Sequence, residues 1–186
     1  MILGKLFKQL KFARYSIMFI TKGYSIALVN FYLPVIIKYD ENRLPPRAAA
    51  MTKFFRIIIN PRFRVDLSVV THEMAHVRQI MKSLGFHFVR YAISNEYRYK
   101  SELEAYAYQC LHLCLVSDVG LNNVLVQELT KWVTRVLSVN MNFSVLLLKS
   151  EEEIQKEFFD EFLKLLRLHK AEFEKNLEKK QESKAS

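Results

Sequence analysis

The segment Thr71–Gln79, which reads THEMAHVRQ, constrains this chain more than any other. His72 and His76 lie four positions apart in a run with helical apolar spacing, so both imidazoles leave one face of a helix. Two imidazoles placed in this way can bind one zinc ion, the geometry that the pattern H-E-x-x-H favours. Glu73 stands at the edge of the same face. Its carboxylate can there accept a proton from a water whose pKa zinc lowers to about 7.

The flanking residues predict a strand before this helix and a stop after it. Residues 53–59, KFFRIII, are rich in aromatic and β-branched side chains and are closed by an Asn-Pro pair, which favours a single strand. Asp66 or Ser68 can cap the helix, and Gly85 can end it.

A catalytic zinc site needs a third protein ligand and one open position. Glu102 and Glu104, in the run SELEAY, are candidates on a second predicted helix over 101–116. They are two positions apart and cannot both face one metal, and the spacing alone does not choose between them. Two other interpretations of the motif stay open. The histidines of an ordinary amphipathic helix could be satisfied by hydrogen bonds, or the metal could be bound without catalysis.

The pattern H-E-x-x-H-x-x-Q, then an aromatic and basic stretch, then E-x-E-A, resembles the gluzincin type of zinc metallopeptidase. It is most similar to small bacterial and phage-type proteins, and the resemblance covers roughly residues 53–109. It implies that His72 and His76 bind zinc and that Glu73 is the general base. It also implies that Glu102, the first residue of E-x-x-A, is the third ligand.

The resemblance further implies a cleft bordered by the strand that precedes the helix. Phe54, Arg56 and Ile58 of that strand would pair with an extended substrate backbone. The alternative is an ordinary internal strand, which the continuous apolar run suits equally well. A transition-state oxyanion needs a hydrogen-bond donor besides the metal. The donor candidates lie between the ligand-bearing segments or just after them, and each could instead pack beneath the loop. They are His87, Tyr91, Tyr97, Arg98, Tyr99 and Tyr106.

The composition predicts a folded α+β protein that is mostly helical. The chain is 51% hydrophobic, with only 4 Gly and 4 Pro among its 186 residues, which excludes disordered and collagen-like classes. Cys110 and Cys114, four apart on a predicted helix, indicate buried thiols rather than a disulfide framework. We expect a small N-terminal sheet with an edge strand, an active-site helix, a glutamate helix and C-terminal helices.

Three stretches of one compact domain are predicted from these patterns. Residues 1–50 would form a basic N-terminal helix over 2–20 and strands within 23–38. Residues 51–118 would form the catalytic core, with 86–100 irregular or partly helical. Residues 119–186 would be helical, over 122–138 and 150–182, and the last of these helices could pair with a second copy or pack on the domain.

The charge is concentrated at the N-terminal end. Residues 1–64 contain 12 Lys and Arg but 2 Asp and Glu, a net charge of +10, and the remainder has a net charge of −1. Residues 1–22 could therefore pack on the domain as a basic helix or contact an anionic membrane surface. Nucleic acid is not expected as a partner, because no nucleic-acid motif is present.

The sequence therefore predicts a zinc-dependent metallopeptidase that acts on peptides or proteins. A zinc hydrolase of another acyl bond, such as a peptidoglycan amide, would share the site. The alternative is a non-catalytic zinc-binding or interaction protein whose basic N-terminus binds an anionic membrane surface or nucleic acid. A cytoplasmic location is expected, because neither a signal peptide nor a transmembrane helix is recognisable in the pattern.

Overall fold

The computed structural model describes residues 16–21, 24–29, 33–46, 48–64, 66–83, 86–116 and 122–169. The chain divides into two compact units, of which the first ends at His87 and the second begins at Phe88. The first contains a β-sheet and one long helix, and the described part of the second is helical. The predicted class, α+β and mostly helical, is confirmed.

The strands are β1 Ser16–Thr21, β2 Tyr24–Val29, β3 Leu33–Tyr39, β4 Ala50–Lys53 and β5 Arg56–Ile59. The helices are α1 Leu67–Lys82, α2 His87–Ile93, α3 Asn95–Val116, α4 Asn123–Arg135, α5 Phe143–Leu146 and α6 Glu151–Leu168. Short 3-10 turns occupy Glu41–Arg43 and Pro61–Phe63, and a π-helical turn, Val136–Asn140, follows α4.

The five strands form one mixed sheet in the order β1-β2-β3-β5-β4. Only the pair β3–β5 is parallel. Pro34 lies within β3, opposite Leu28. Ile36 donates its N–H to the carbonyl oxygen of Phe55 at 2.9 Å. The N–H that Pro34 lacks would point to that same side, where pairing with β5 has not yet begun, so this proline is tolerated inside the sheet.

The prediction of a single edge strand over 53–59 is wrong. The chain turns at Phe54 and Phe55, so that β4 and β5 form a hairpin. β5, with Arg56 and Ile58, lies between β3 and β4, and β4 borders the described sheet. The turn could not be foreseen because it lacks glycine and asparagine. Phe54 itself adopts a left-handed φ of 53°, which costs an L-residue about 1–2 kcal/mol.

Two other predictions of local structure need correction. Residues 16–20, predicted as the end of an N-terminal helix, belong to β1, and residues 2–15 lie outside the described residues. The stretch 86–100, predicted as irregular or partly helical, is almost entirely helical in α2 and the start of α3. The strands expected within 23–38 are confirmed as β2 and β3.

The core of the first unit lies between one face of the sheet and α1. It contains Val35, Ile37, Ile57 and Ile59 from the strands and Leu67, Val70, Met74 and Val77 from the helix. The helical residues recur at intervals of three and four, which places them on one stripe. Asp66 begins the helix by accepting a hydrogen bond from the N–H of Ser68 at 2.9 Å, as predicted. The sheet therefore fixes the orientation of α1.

In the second unit, α3 and α4 pack against α6. Ser150 and Glu153 form a capping box at the start of α6, and the stripe Ile154, Phe158, Phe162 and Leu165 is buried. The helix ends at Leu168, and the predicted continuation to 182 lies outside the described residues. Cys110 and Cys114 are buried thiols, as expected. Within the described ranges, no helix has both the length and the apolar character needed to cross a bilayer.

Candidate metal centre

Helix α1 buries an unusual number of polar side chains. Ser68, Thr71, His72, Glu73, His76 and Gln79 are each at most 8% exposed. Burying polar groups is unfavourable unless each finds a hydrogen-bond partner. The first two are satisfied locally, because Ser68 Oγ donates to Asp66 at 2.6 Å and Thr71 Oγ1 to the carbonyl oxygen of Leu67 at 2.8 Å. The remaining four residues form the H-E-x-x-H-x-x-Q motif.

The two histidines lie one above the other on adjacent turns of α1. Their ring centroids are 5.1 Å apart and the ring planes are inclined by 74°. Gln79 Oε1 lies 2.9 Å from His76 Nδ1. With the amide oxygen as acceptor, Nδ1 carries the proton, and the lone pair of Nε2 is available to a metal. Gln79 thus orients a potential ligand in the way that outer-shell residues do in metalloproteins.

The phenol of Tyr91 makes the corresponding contact in the second unit. Tyr91, on α2, donates a short hydrogen bond to Oε1 of Glu102 on α3. Glu102 is only 5% exposed, so its carboxylate is held by this donor rather than by bulk water. Binding of one oxygen by a phenol restrains the carboxylate and leaves its other oxygen for a second interaction.

His72, His76 and Glu102 form a buried group that could hold a metal ion. One ligand atom from each residue lies within 4.8 Å of the other two. Zinc lies about 2.0–2.2 Å from its nitrogen and oxygen ligands. To bind an ion placed centrally between three atoms that are 4.8 Å apart, each ligand atom must therefore move toward the ion by at most about 0.7 Å. Side-chain rotations supply such a movement, and the donor set of two imidazoles and one carboxylate suits a divalent first-row metal. The residues therefore fit a metal.

Glu73 is held by the strand at the border of the sheet. Thr52 Oγ1, on β4, lies 2.7 Å from Glu73 Oε2 and 3.0 Å from the carbonyl oxygen of the same residue. Glu73 is 6% exposed and directly follows His72. Thr52 thus joins the β4–β5 hairpin to the carboxylate that the motif provides. Sequence reasoning missed Thr52, because the residue lies 21 positions before Glu73 and no local spacing links the two.

The predicted rival ligand Glu104 interacts electrostatically with another helix. The carboxylates of Glu161 and, more weakly, Glu104 raise the pKa of Lys164 on α6. Glu104 is therefore within electrostatic reach of α6, and among the described residues the ligand group contains Glu102 and not Glu104. A separation of two positions turns the two side chains to different sides of α3.

The predicted oxyanion donors are found in different environments. His87 is 3% exposed, and its ring centroid lies 6.1 Å from that of His76. Among the other candidates, Tyr91 binds Glu102. The remaining three tyrosines contact residues of the second unit. Tyr97 lies under the guanidinium of Arg90, Tyr99 packs on Phe143 and Tyr106 on Trp132.

Two of these donor candidates, Arg98 and Tyr99, are engaged by packing in the second unit. Arg98 lies over the ring of Phe143, its guanidinium carbon 5.3 Å from the ring centroid. Burial, followed by the nearby carboxylate of Glu157, raises the pKa of Tyr99 well above its usual value. His87 is therefore the predicted oxyanion donor that lies beside a histidine of the motif, His76.

Comparisons with known proteins add no family to these observations. A scan against models of protein families, a search among curated proteins and a search among solved structures each found no match.

Proposed function

We propose that this chain is a zinc-dependent metallopeptidase. The observation that carries the proposal is the buried group of His72, His76 and Glu102, whose ligand atoms lie within 4.8 Å of one another. Three protein ligands leave one position open, which is typical of catalytic rather than structural zinc. When bound, zinc supplies a Lewis acid that polarises a carbonyl group and lowers the pKa of water.

The chain's own residues supply the remaining parts of a hydrolytic site. Glu73 adjoins the ligand His72 and has a buried carboxylate, so it can accept a proton as a general base must. Thr52 holds this carboxylate through one oxygen, at 2.7 Å, and restricts its rotation. His87, buried beside His76, is the donor that we assign to the developing oxyanion.

Peptide hydrolysis, rather than cleavage of another acyl bond, is the activity that the motif favours. The order of the parts along the chain supports it: H-E-x-x-H on one helix, then a glutamate on the next. The same donor set of two imidazoles and one carboxylate also occurs in non-haem iron proteins. Glu73 favours zinc, because a carboxylate beside the first histidine provides the base that hydrolysis requires.

Metal content tests the site. The purified wild-type protein should contain about one zinc ion per chain, whereas His72→Ala and Glu102→Ala should contain almost none. Glu104→Ala is the matched control, because it removes a carboxylate two positions along the same helix and should keep the metal. Elemental analysis for both zinc and iron distinguishes the two chemistries. A wild-type protein that takes up neither metal at neutral pH would contradict the assignment.

Hydrolysis tests the reaction. Glu73→Gln should keep its zinc while the cleavage of a peptide library falls by about 10²–10⁴-fold, the usual contribution of a general base. Retained zinc with unchanged cleavage would reject Glu73 as the base. Zinc binding by the wild type with no cleavage in any library would reject peptidase activity while leaving the metal site in place.

A further inference from the structure

A groove of about 360 Å³ lies between helices α4 and α6, which pack against each other in the second unit. Val126 and Thr130 line the groove from α4. The hydroxyl of Thr130 donates to the carbonyl oxygen of Val126 at 2.7 Å, so the one polar group of this wall is already satisfied. Sites for small ligands usually have volumes of about 300–1,000 Å³, and the groove is therefore large enough for such a ligand.

The opposite wall of the groove is one stripe of α6. Glu152, Lys156 and Phe159 line the groove at intervals of four and three residues, which places them in that order along one face of the helix. Phe159 is 40% exposed, so part of its ring is open to a ligand. Along its length this wall offers an anion, a cation and an apolar surface.

Glu152 and Lys156 do not pair with each other, although their spacing favours an ion pair. A glutamate four positions before a lysine is the better orientation on a helix. In the part of the chain that the structure describes, neither residue forms an ion pair or a side-chain hydrogen bond. Comparable pairs in this unit close at 2.9–3.0 Å: Glu96 with Lys100, Glu128 with Lys131 and Glu161 with Lys164. Both charges beside the groove can therefore bind a ligand.

We propose that this groove binds an apolar dipeptide in its zwitterionic form. The ammonium group binds Glu152, the carboxylate binds Lys156, and an apolar side chain packs on Phe159. Four residues of α-helix rise by about 6 Å, and two residues of extended chain span at most about 7 Å. The two ends of a dipeptide thus match the two charges on α6, and a single amino acid, with about half that length, matches them less closely.

The two opposite charges select against other small ligands. A fatty acid or a phosphate ester brings its anion near Glu152, and a polyamine brings its cations near Lys156, so one of the two residues repels each of them. A ligand with one positive and one negative end is attracted by both residues. Dipeptides are also products of peptide hydrolysis, but binding in this groove depends on neither the metal nor the reaction.

Isothermal titration calorimetry of the full chain with alanyl-leucine measures this binding. A ligand of this size is expected to have a dissociation constant of about 1 mM. Phe159→Ala should weaken binding at least about fivefold, because burying two methylene groups contributes more than that. Glu152→Gln with Lys156→Gln should weaken it about 4–25-fold, since each exposed ion pair contributes about twofold to fivefold. The matched control, Glu161→Gln with Lys164→Gln, removes an ion pair elsewhere on α6 and should bind like the wild type.

Capped forms of the same dipeptide test whether both ends are recognised. N-acetyl-alanyl-leucine lacks the ammonium group and alanyl-leucine amide lacks the carboxylate, so each should bind about twofold to fivefold more weakly. Equal binding of either capped form would overturn the proposal, as would a wild type without saturable binding up to about 10 mM. Binding that is lost in His72→Ala but kept in Phe159→Ala would also overturn it, because the dipeptide would then occupy the metal centre.

Discussion

The hydrogen bond between Gln79 and His76 allows a quantitative test of the candidate metal centre. Gln79 Oε1 lies 2.9 Å from His76 Nδ1, and both residues are at most 8% exposed. Gln79→Leu removes the acceptor with little change in volume. Loss of an outer-shell partner typically weakens metal binding about 10–100-fold, which corresponds to about 1.4–2.8 kcal/mol. We expect the dissociation constant for zinc to rise by that factor.

Competition with a chromophoric chelator measures this dissociation constant directly. Gln79→Glu keeps an acceptor and adds a charge, so its zinc affinity should equal or exceed that of the wild type. Gln127→Leu makes the same substitution on an exposed position of α4 and should leave zinc affinity unchanged. Zinc binding by Gln79→Leu within about twofold of the wild type would contradict this role of Gln79, because the smallest effect expected is about tenfold.

The same variant has a second consequence that separates folding from metal binding. Without metal, the buried Nδ1–H of His76 loses its acceptor, which should lower the free energy of unfolding by about 1–3 kcal/mol. Urea unfolding of the metal-free protein measures this quantity. A zinc-affinity loss with unchanged metal-free stability would show that the hydrogen bond forms only around the ion.

Three further predictions concern other contacts. Tyr91→Phe removes the phenol that binds the carboxylate of Glu102, the proposed third ligand, so zinc should bind about tenfold more weakly by chelator competition, whereas Tyr97→Phe should have no effect. Phe158 is 1% exposed, so Phe158→Ala leaves a cavity and should lower the free energy of unfolding in urea by about 3–5 kcal/mol. Phe159 is 40% exposed, and Phe159→Ala should lower the free energy of unfolding far less in the same experiment. Burial raises the pKa of Cys114 from 9.0 to about 11. The unfolded chain therefore releases the thiol proton first, and stability should fall as the pH rises from 9 to 11. Cys114→Ala should reduce that slope, and an equal slope in both proteins would contradict the assignment.

Helix α1 was predictable because all of its determinants are local. The Asp66 cap acts on a residue two positions away, and His72 and His76 share a face because the helix repeats every 3.6 residues. The contact of Gln79 with His76 spans one turn. Once the helix forms, contacts between neighbouring turns are determined by the spacing of the residues along the sequence.

The β4–β5 hairpin was not predictable by the same means. Its turn residues, Phe54 and Phe55, are typical of strands, and the usual turn residues are absent. The pairing of Lys53 with Arg56 and of Thr52 with Ile57 determines the turn instead. A continuous apolar run does not reveal where a strand reverses, because both strands contribute residues of the same kind.

The sequence by itself determined that two imidazoles and a carboxylate belong to one helix, since helical geometry is set by the backbone. Only the tertiary structure decided which other residues meet them. The packing of α3 on α6 brings Glu104 within electrostatic reach of Lys164, and Glu102 is the glutamate that forms, with His72 and His76, a group that could hold a metal ion. Thr52 reaches Glu73 because β4 packs beside α1. Such contacts join residues far apart in the chain, and their formation depends on burial and shape rather than on spacing.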